Sequence, residues 1–539
     1  MTSHIIDIIE QSAESPQFAN AADCREWLAA LPLTNVTLAQ QTLTKQLHLL
    51  RQSCMIPDEQ LGVLAALWEP VLFVQSALAQ KYAGKPLPLD TDEAAVWSSV
   101  QKLWLVYADA CIGCRDVYAR DHINVEQSNA LILVHAIRCR AAAMFEHYRI
   151  YLEVTPALWE KLNQLYASAE RAGFARISVK VEAREEVATT HCLAAYCAAL
   201  LAHLAHPFSL SAQHMNLLSA WIPQWATVTN LAAEPLPPSG IPALGIDLAG
   251  GRGPGFAESL KPSPTLRHLD LDAIGRNLRQ LMGLLKQGQT PAQLGLGKEA
   301  RQQDCESLLM LLYIQWCRAG TARGEQRLAT AEHARVCLGL HAAHFHISGR
   351  AFRPPGAGLS RQEEDDMQLF GHLSERTERP LASAQSQAVE SWKMMNQSDS
   401  GFMCMVRDTD TKLRVGHQQL VAVRRGASKL FHLGLIQWMR AEDQESLFAG
   451  VRLFPGVARA VAVRPTNFNA PGAIRGQFER GLLLPELPTS TAPMTLVLPS
   501  GWYQPGRIVE LHGEQKVVAK LTGLLEKGSD FERCTVNLS

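Results

Sequence analysis

The chain lacks the features that would place it in a membrane or outside the cell. Its first residues, MTSHIIDIIEQSAESP, contain no basic stretch followed by a long apolar core, so we expect no secretory signal. Its most apolar window, CLAAYCAALLAHLAHPFSL, is interrupted by His203, His206 and Pro207. A membrane helix needs about 20 predominantly apolar residues, so this window indicates a buried helix and we expect no transmembrane segment.

The sequence also has no large excess of charge and no framework of paired cysteines. Lys and Arg number 51 against 52 Asp and Glu, which gives a formal net charge of −1 across 539 residues. That balance argues against a nucleic-acid polymer as a partner but is compatible with a local anion site. The 12 cysteines are scattered through a chain large enough to form its own core, so we expect reduced thiols and a cytoplasmic protein.

Common catalytic motifs are missing as well. We find no G-x-S-x-G, H-E-x-x-H or G-x-x-x-x-G-K-[ST] pattern, so we expect a binding protein and not an enzyme. Cys111 and Cys114 have the spacing of a zinc or redox pair, but they lie in an amphipathic helical pattern and are interpreted as core thiols. His341, His344 and His346 form a cluster whose last two members would share one face of a strand. Because no acidic or thiol ligand lies nearby outside the acidic stretch QEEDD, we predict no metal site.

What is present indicates an α+β multidomain protein. Hydrophobic residues make up 47% of the sequence, which is enough for several cores. Apolar residues recur at helical steps before the Pro- and Gly-rich stretch AAEPLPPSGIPALGIDLAGGRGPGF and alternate after Gly320. We predict four parts: an all-helical N-terminal domain at 1–231, a Pro/Gly-rich linker plus helices at 232–319, a β-barrel at 320–468, and a β-rich C-terminal extension at 469–539.

Local signals predict several helix boundaries in the first part. Thr34 or Asn35 can cap the helix that follows, and the pair Thr155-Pro156 starts another helix that Gly173 ends. Pro207 is expected to separate two further helices.

The third part contains short alternating segments at regular intervals. We predict six strands there, at HARVCLGLHAAHFHIS, GFMCMVRD, QQLVAVRR, HLGLIQWMR, FAGVRLFP and ARAVAVRP. A charged insertion at about 350–390 separates the first two, and about four more strands follow in the tail. Antiparallel strands of this kind favour a small closed barrel, which leaves no exposed edge.

Two patterns flank the start of this barrel. Arg323 and Arg327 form R-x-x-x-R just before the first strand, and Asn396, Ser398 and Gly401 form N-x-S-x-x-G before the next one. With the strands behind them, these patterns resemble the PilZ domain, a six-stranded antiparallel barrel of bacterial proteins that binds the second messenger cyclic di-GMP. The resemblance covers roughly residues 320–465 and implies that these five residues bind the nucleotide.

The chemistry of those side chains suits such a ligand. A guanidinium group can donate two parallel hydrogen bonds to a phosphate or to the O6 and N7 atoms of guanine, and it can stack on a purine face. Asn396 and Ser398 offer short donors and acceptors, and Gly401 permits a backbone conformation with positive φ or a close approach of the ligand. Arg424 and Arg425 are weaker candidates for a phosphate contact. The other arginines after residue 400 are expected on the solvent-exposed side of the barrel.

The sequence therefore predicts a cytoplasmic cyclic di-GMP effector whose PilZ-like barrel signals through its helical region to an unidentified protein partner. The rival interpretation is a scaffold with a ligand-free barrel. An enzyme that uses the histidine cluster with a metal ranks far behind. Fold and ligand do not identify the process that the effector controls.

Overall fold

A computed structural model gives the structure of the chain, and it divides into two compact units. The first unit consists of Met1–Lys85 with Leu89–Ala322, and the second of Pro86–Pro88 with Arg323–Ser539. The structure describes residues 15–120, 126–182, 187–318, 328–356, 368–369, 388–397, 403–407, 413–426, 428–442, 446–466, 477–486 and 492–538. The division into four parts made from the sequence stays a prediction.

Ten helices are described in the first unit. They are α1 (Ala21–Ala29), α2 (Val36–Gln52), α3 (Pro57–Ala79), α4 (Thr91–Arg120), α5 (Glu126–Tyr148), α6 (Pro156–Arg171), α7 (Cys192–Leu204), α8 (Ala212–Ala226), α9 (Asp272–Lys286) and α10 (Gln302–Cys317). The predicted boundaries are confirmed where capping is local. Asn35 accepts a hydrogen bond from the Leu38 amide at the start of α2, and Pro156 is the first residue of α6. Gly173 has a φ of +79°, which suits the end of that helix.

Aromatic residues are concentrated in the core of this helical unit. The Trp68 ring lies 6.0 Å from Trp104, 5.5 Å from Tyr107 and 5.0 Å from His135, measured between ring centres. Burial, followed by the nearby Arg138 guanidinium, lowers the pKa of His135 to about 3, so this imidazole is neutral and packs as part of the core. Helix α3 is long and apolar enough to cross a membrane by length and composition alone, but its residues Leu67, Trp68 and Val71 are buried in this core.

The first unit also contains strands that we did not predict. Strands β1 (Val179–Glu182) and β2 (Val187–Thr190) pair as an antiparallel hairpin inside the segment expected to be entirely helical. The segment expected to be a linker contributes to a four-stranded sheet in the order β3-β6-β4-β5, formed by Asn230–Ala232, Leu266–Asp270, Leu244–Asp247 and Gly255–Phe256. Its strands have only two to five residues, too short for an alternating pattern to be recognised in the sequence.

The second unit begins with an antiparallel sheet that closes on itself. Its strands are β7 (Leu328–Ala329), β8 (His333–Leu338), β9 (Glu390–Gln397), β10 (Met403–Arg407), β11 (Leu420–Arg425), β12 (His432–Ala441) and β13 (Leu447–Leu453). They pair in the order β10-β13-β12-β11-β8-β9-β7, and β9 pairs with β10 as well. That extra pairing joins the two ends of the sheet, so six strands form a ring to which the short β7 is added.

Two of the six predicted strands were wrong in detail. ARAVAVRP does not belong to this ring, and its sixth member is β9, which lies in the segment that we interpreted as the approach to a turn. The stretch after Leu338 is a helix, α11 (Gly339–Ser348), and not a continuation of the first strand. Leu340, Ala343 and His344 are buried at helical spacing, a pattern that the alternating His344 and His346 obscured in the sequence.

The remaining strands form a second, closed barrel. Its members are β14 (Arg459–Pro465), β15 (Glu479–Leu484), β16 (Thr495–Pro499), β17 (Ile508–His512), β18 (Lys516–Lys527) and β19 (Phe531–Leu538), in the order β14-β15-β16-β19-β18-β17. The tail expected to hold about four strands therefore contains five, and ARAVAVRP supplies the sixth. Ten buried apolar residues, among them Val463, Leu498 and Leu521, fill one core of this barrel.

The two barrels of the second unit share a hydrophobic core. Helix α11 packs against β8 and β11 of the first barrel and against β14 and β15 of the second. The shared core includes Leu340 from the helix, Leu433 from the first barrel and Leu482 from the second. The Leu420 amide also donates a hydrogen bond of 2.9 Å to the Asp530 carboxylate, which connects β11 to the loop before β19.

Candidate functional site

Strand β9 pairs with a strand on each side, close in the chain to the two halves of the predicted motif. On one side it pairs with β7, where Leu328 is the register partner of Gln397 and Ala329 is that of Asn396. On the other side it pairs with β10, where Met403 is opposite Gln397. The end of β9 is therefore enclosed by backbone from both directions.

This register brings the described flanks of both motif halves next to each other. Arg327 is covalently bonded to Leu328, and Ser398 is bonded to Gln397. Of the five predicted ligand-binding residues only Asn396 is described; the other four, Arg323, Arg327, Ser398 and Gly401, lie outside the described residues.

The side chain of Asn396 has an unsatisfied acceptor. Its Oδ1 atom is buried and has no hydrogen-bond partner within the part of the chain that the structure describes. A buried polar atom without a partner costs about 1–3 kcal/mol, so native proteins pair nearly all such atoms. The pairing between β9 and β10 is irregular at this point, because Asn396 and Met394 are opposite the consecutive residues Cys404 and Met405. A bulge of this kind changes where a side chain points, and bulges are common beside binding sites.

Of the two weaker candidates from the sequence, one lies at this site. The Arg425 guanidinium donates a 3.3 Å hydrogen bond to the side-chain oxygen of Gln397, the residue before Ser398. Arg424 instead lies over the Phe431 ring, at 5.1 Å from its centre. Sequence reasoning did not single out Gln397, although its place between Asn396 and Ser398 in the motif was a signal that could have found it.

A buried ion pair supports β9 from inside the first barrel. The Arg407 guanidinium donates two hydrogen bonds, of 2.9 and 2.7 Å, to the Glu390 carboxylate, and the Trp392 indole donates a third of 2.7 Å. The side chains of Arg407 and Glu390 are only 6% and 3% exposed. From its alternation with apolar residues we expected Arg407 on the solvent-facing side of the barrel. The structure shows that it is buried instead. The pair fixes β9 against β10, because Arg407 is the register partner of Trp392.

The histidine cluster does not form the strand face that we predicted. His341, His344 and His346 all lie on α11, where residues two apart point in different directions. Burial, followed by the positive charge of Arg480, lowers the pKa of His344 to about 4. Across the described ranges, no group of three or more His, Cys, Asp or Glu side chains is placed to hold a metal ion.

Cys111 and Cys114 are buried inside the helical unit. The Cys114 thiol donates to the Pro57 carbonyl at 3.5 Å, and its burial raises its pKa to about 12. A thiol with a raised pKa is a poor nucleophile and a poor metal ligand at neutral pH. The 11 cysteines whose side chains the structure describes are all free thiols.

The helical unit and the terminal barrel define a class of protein when they are compared with known families. One family model, described as "Cyclic-di-GMP receptor FimW, N-terminal domain", matches residues 22–235, and a second, described as "FimW C-terminal beta-barrel domain", matches residues 462–539. Together they span more than half of the chain. The matches define a receptor for the second messenger cyclic di-GMP, with a helical region followed by a β-barrel. The chain belongs to the FimW family.

The family confirms the prediction of a cyclic di-GMP-binding bacterial effector with a helical N-terminal region. It is a family of binding proteins. No curated protein and no solved structure matches the chain. The motif residues 323–401 fall between the two matched segments, so their roles depend on the geometry described above.

Proposed function

We propose that cyclic di-GMP binds at the end of the first barrel where β7, β9 and β10 meet. The observation that carries this is the pairing of Leu328 with Gln397, because each of these residues is bonded to a different half of the motif. The proposed ligand-binding residues are Arg323, Arg327, Asn396, Ser398 and Gly401.

The ligand matches these groups in charge and in hydrogen bonding. It carries two phosphate anions and two guanine bases, whose O6 and N7 atoms accept hydrogen bonds from a guanidinium. Arg323 and Arg327 bind guanine and phosphate. Asn396 and Ser398 form hydrogen bonds with the base or the phosphate. Binding gives the buried Oδ1 atom of Asn396 a partner that it lacks among the described residues. Gly401 shapes the turn.

Arg425 has a supporting role in this proposal. Its hydrogen bond to Gln397 holds a guanidinium beside the end of β9, next to Ser398 in the chain. A bond of 3.3 Å between neutral and charged groups is easily exchanged for a shorter one to phosphate. Arg425 is therefore placed to add a phosphate contact when the ligand is bound.

The effector couples binding to the helical unit through the segment that contains the two arginines. Residues 319–327 connect α10 of the first unit to β7 of the second along the chain. A ligand that contacts this segment can shift the helical unit between an unbound and a bound population. The helical unit then binds a protein partner. The protein acts in the cytoplasm, where the messenger is found, and it has no catalytic step.

Calorimetric titration of the full chain with cyclic di-GMP tests the site. We expect saturable binding that weakens at least about 10-fold in Arg323→Ala and in Arg327→Ala, since each variant removes charge-assisted hydrogen bonds. Arg459→Ala is the matched control, because that arginine lies on the second barrel with its side chain 66% exposed.

Two outcomes would count against the proposal. Tight binding that neither arginine variant weakens would place the ligand elsewhere on this receptor. An absence of heat at high ligand concentration would favour a scaffold with a ligand-free barrel.

A further inference from the structure

A second cationic pocket lies in the first unit, separate from the barrel. It has a volume of about 340 Å³ and is bounded by the start of α9, the end of α10 and the segment at 239–241. Its charged and aromatic lining residues are Asp272, Arg276, Arg279, Tyr313 and Arg318. The two guanidinium groups of Arg276 and Arg279 against one carboxylate give the pocket an excess of positive charge.

The two helices approach closely at the floor of this pocket. A Cβ atom on Gly275 would lie 3.1 Å from the Cys317 thiol and 3.3 Å from the Ile241 side chain, so only glycine fits there without displacement. The Cys317 thiol has a pKa raised to about 11 by its burial, and the nearby Arg279 and Asp272 charges act on it in opposite directions. The part of the pocket lined by Cys317 is therefore also lined by a positive charge, on Arg279, and a negative charge, on Asp272.

The arginines of α9 are available to a ligand. In the described part of the molecule, neither Arg276 nor Arg279 takes part in an ion pair. The Arg279 guanidinium lies 6.0 Å from the centre of the Tyr313 ring, which provides a flat surface beside a positive charge. Such a combination suits a planar base that carries a phosphate.

The carboxylate in the pocket narrows the choice of base. Guanine presents an N–H and an amino group side by side on its Watson–Crick edge, and a carboxylate can accept from both. Adenine has an acceptor beside its amino group and so offers only one such bond. A simple anion could bind the arginines but would offer the Asp272 carboxylate no hydrogen-bond donor, whereas a ligand that combines an anion with paired donors suits both.

We propose that this pocket binds a guanine mononucleotide, with its phosphate on Arg276 and Arg279, its base against Tyr313, and its donor edge on Asp272. The volume of about 340 Å³ is at the lower end of the range for ligand pockets, which favours one nucleotide over a cyclic dinucleotide. The proposal goes beyond cyclic di-GMP binding on the barrel and assigns the helical unit a ligand of its own.

Calorimetric titration of the full-length Arg327→Ala variant with GMP separates this site from the barrel site. We expect saturable binding that weakens about 10-fold or more when Arg279→Ala is added. Lys286→Ala is the matched control, since this exposed lysine lies on the same helix and does not line the pocket. We expect GMP to be preferred over AMP by about 10-fold, and Asp272→Asn to remove most of that preference.

Three outcomes of these titrations would overturn the proposal. The first is a wild-type chain that binds cyclic di-GMP but shows no saturable heat with GMP. The second is GMP binding that is lost in Arg327→Ala alone, which would place GMP in the barrel site. The third is inorganic phosphate that competes as well as GMP does, which would show that no base is recognised.

Discussion

Replacement of Asn396 by alanine is expected to move ligand affinity and stability in different directions. The variant removes a buried oxygen that has no hydrogen-bond partner among the described residues. In the ligand-free protein this oxygen costs about 1–3 kcal/mol of desolvation, so its removal should leave the free energy of unfolding unchanged or raise it by up to ~1 kcal/mol. If the Asn396 side chain instead made a structural hydrogen bond in the ligand-free protein, its removal would lower the free energy of unfolding.

In the bound state the same oxygen accepts a hydrogen bond from the ligand. Its loss should weaken cyclic di-GMP binding by about 1–3 kcal/mol, which is a factor of roughly 5 to 150 in the dissociation constant. Asn396→Asp is the matched control, because it keeps an acceptor oxygen on a side chain of the same size. We expect it to retain most of the affinity.

The assay combines calorimetric titration with urea unfolding of the same preparations. Because the chain has two compact units, the unfolding transition of the second unit must be followed separately. If Asn396→Ala destabilises the ligand-free protein by more than ~1 kcal/mol while its ligand affinity stays at the wild-type value, then the amide is structural and the reasoning fails.

Three further predictions concern the second unit. Arg407→Met should destabilise it by about 3–5 kcal/mol in urea unfolding, because the buried Glu390 carboxylate loses its partner, and adding Glu390→Gln should recover much of that loss; equal stability of all three proteins would contradict this. Gly450→Ala should lower the unfolding midpoint, because the new Cβ would lie 1.8 Å from the indole nitrogen of Trp438, and an unchanged midpoint would show that the ring moves freely. Burial raises the pKa of Asp530 from 3.8 to about 6, so its contribution to stability is full below about pH 4 and is lost as pH rises through 6; Asp530→Asn should flatten the stability profile over that window, and an unchanged slope would refute the assignment.

Helix boundaries could be predicted from the sequence where they depend on a few neighbouring residues. The cap at Asn35 and the start at Pro156 are decided within one turn, so local chemistry is enough. The hairpin β1–β2 could not be recognised, because strands of four residues contain too few alternations. The helix α11 was missed because its histidines alternate while its buried residues follow a helical period.

The barrel was predicted as a class but not strand by strand. ARAVAVRP has the same alternating pattern as the strands before it. It belongs to the second barrel because it pairs with β15 and β17, which are distant in the chain. The closing strand β9 follows a long charged insertion, and its partners come from both sides of the ring. Such choices depend on contacts between distant residues, which a local pattern does not contain.

The order of the two motif halves is evident from the sequence, but the pairing of the described residues next to them is not. That Leu328 pairs with Gln397 is a matter of register across 69 residues of chain, and no local signal sets it. The buried pair of Glu390 and Arg407 was missed for the same reason, since its partners lie on neighbouring strands. Arg407 lies in an alternating segment and was expected to face water. The Glu390 carboxylate on the neighbouring strand gives it a buried partner instead.

Hydrogen–deuterium exchange of the full chain with and without cyclic di-GMP is the most direct test of where the messenger binds. We expect the ligand to slow exchange in two segments together, at about 318–330 and 395–402, and we expect Arg327→Ala to remove both effects. Protection confined to the helical unit or to the terminal barrel would contradict it.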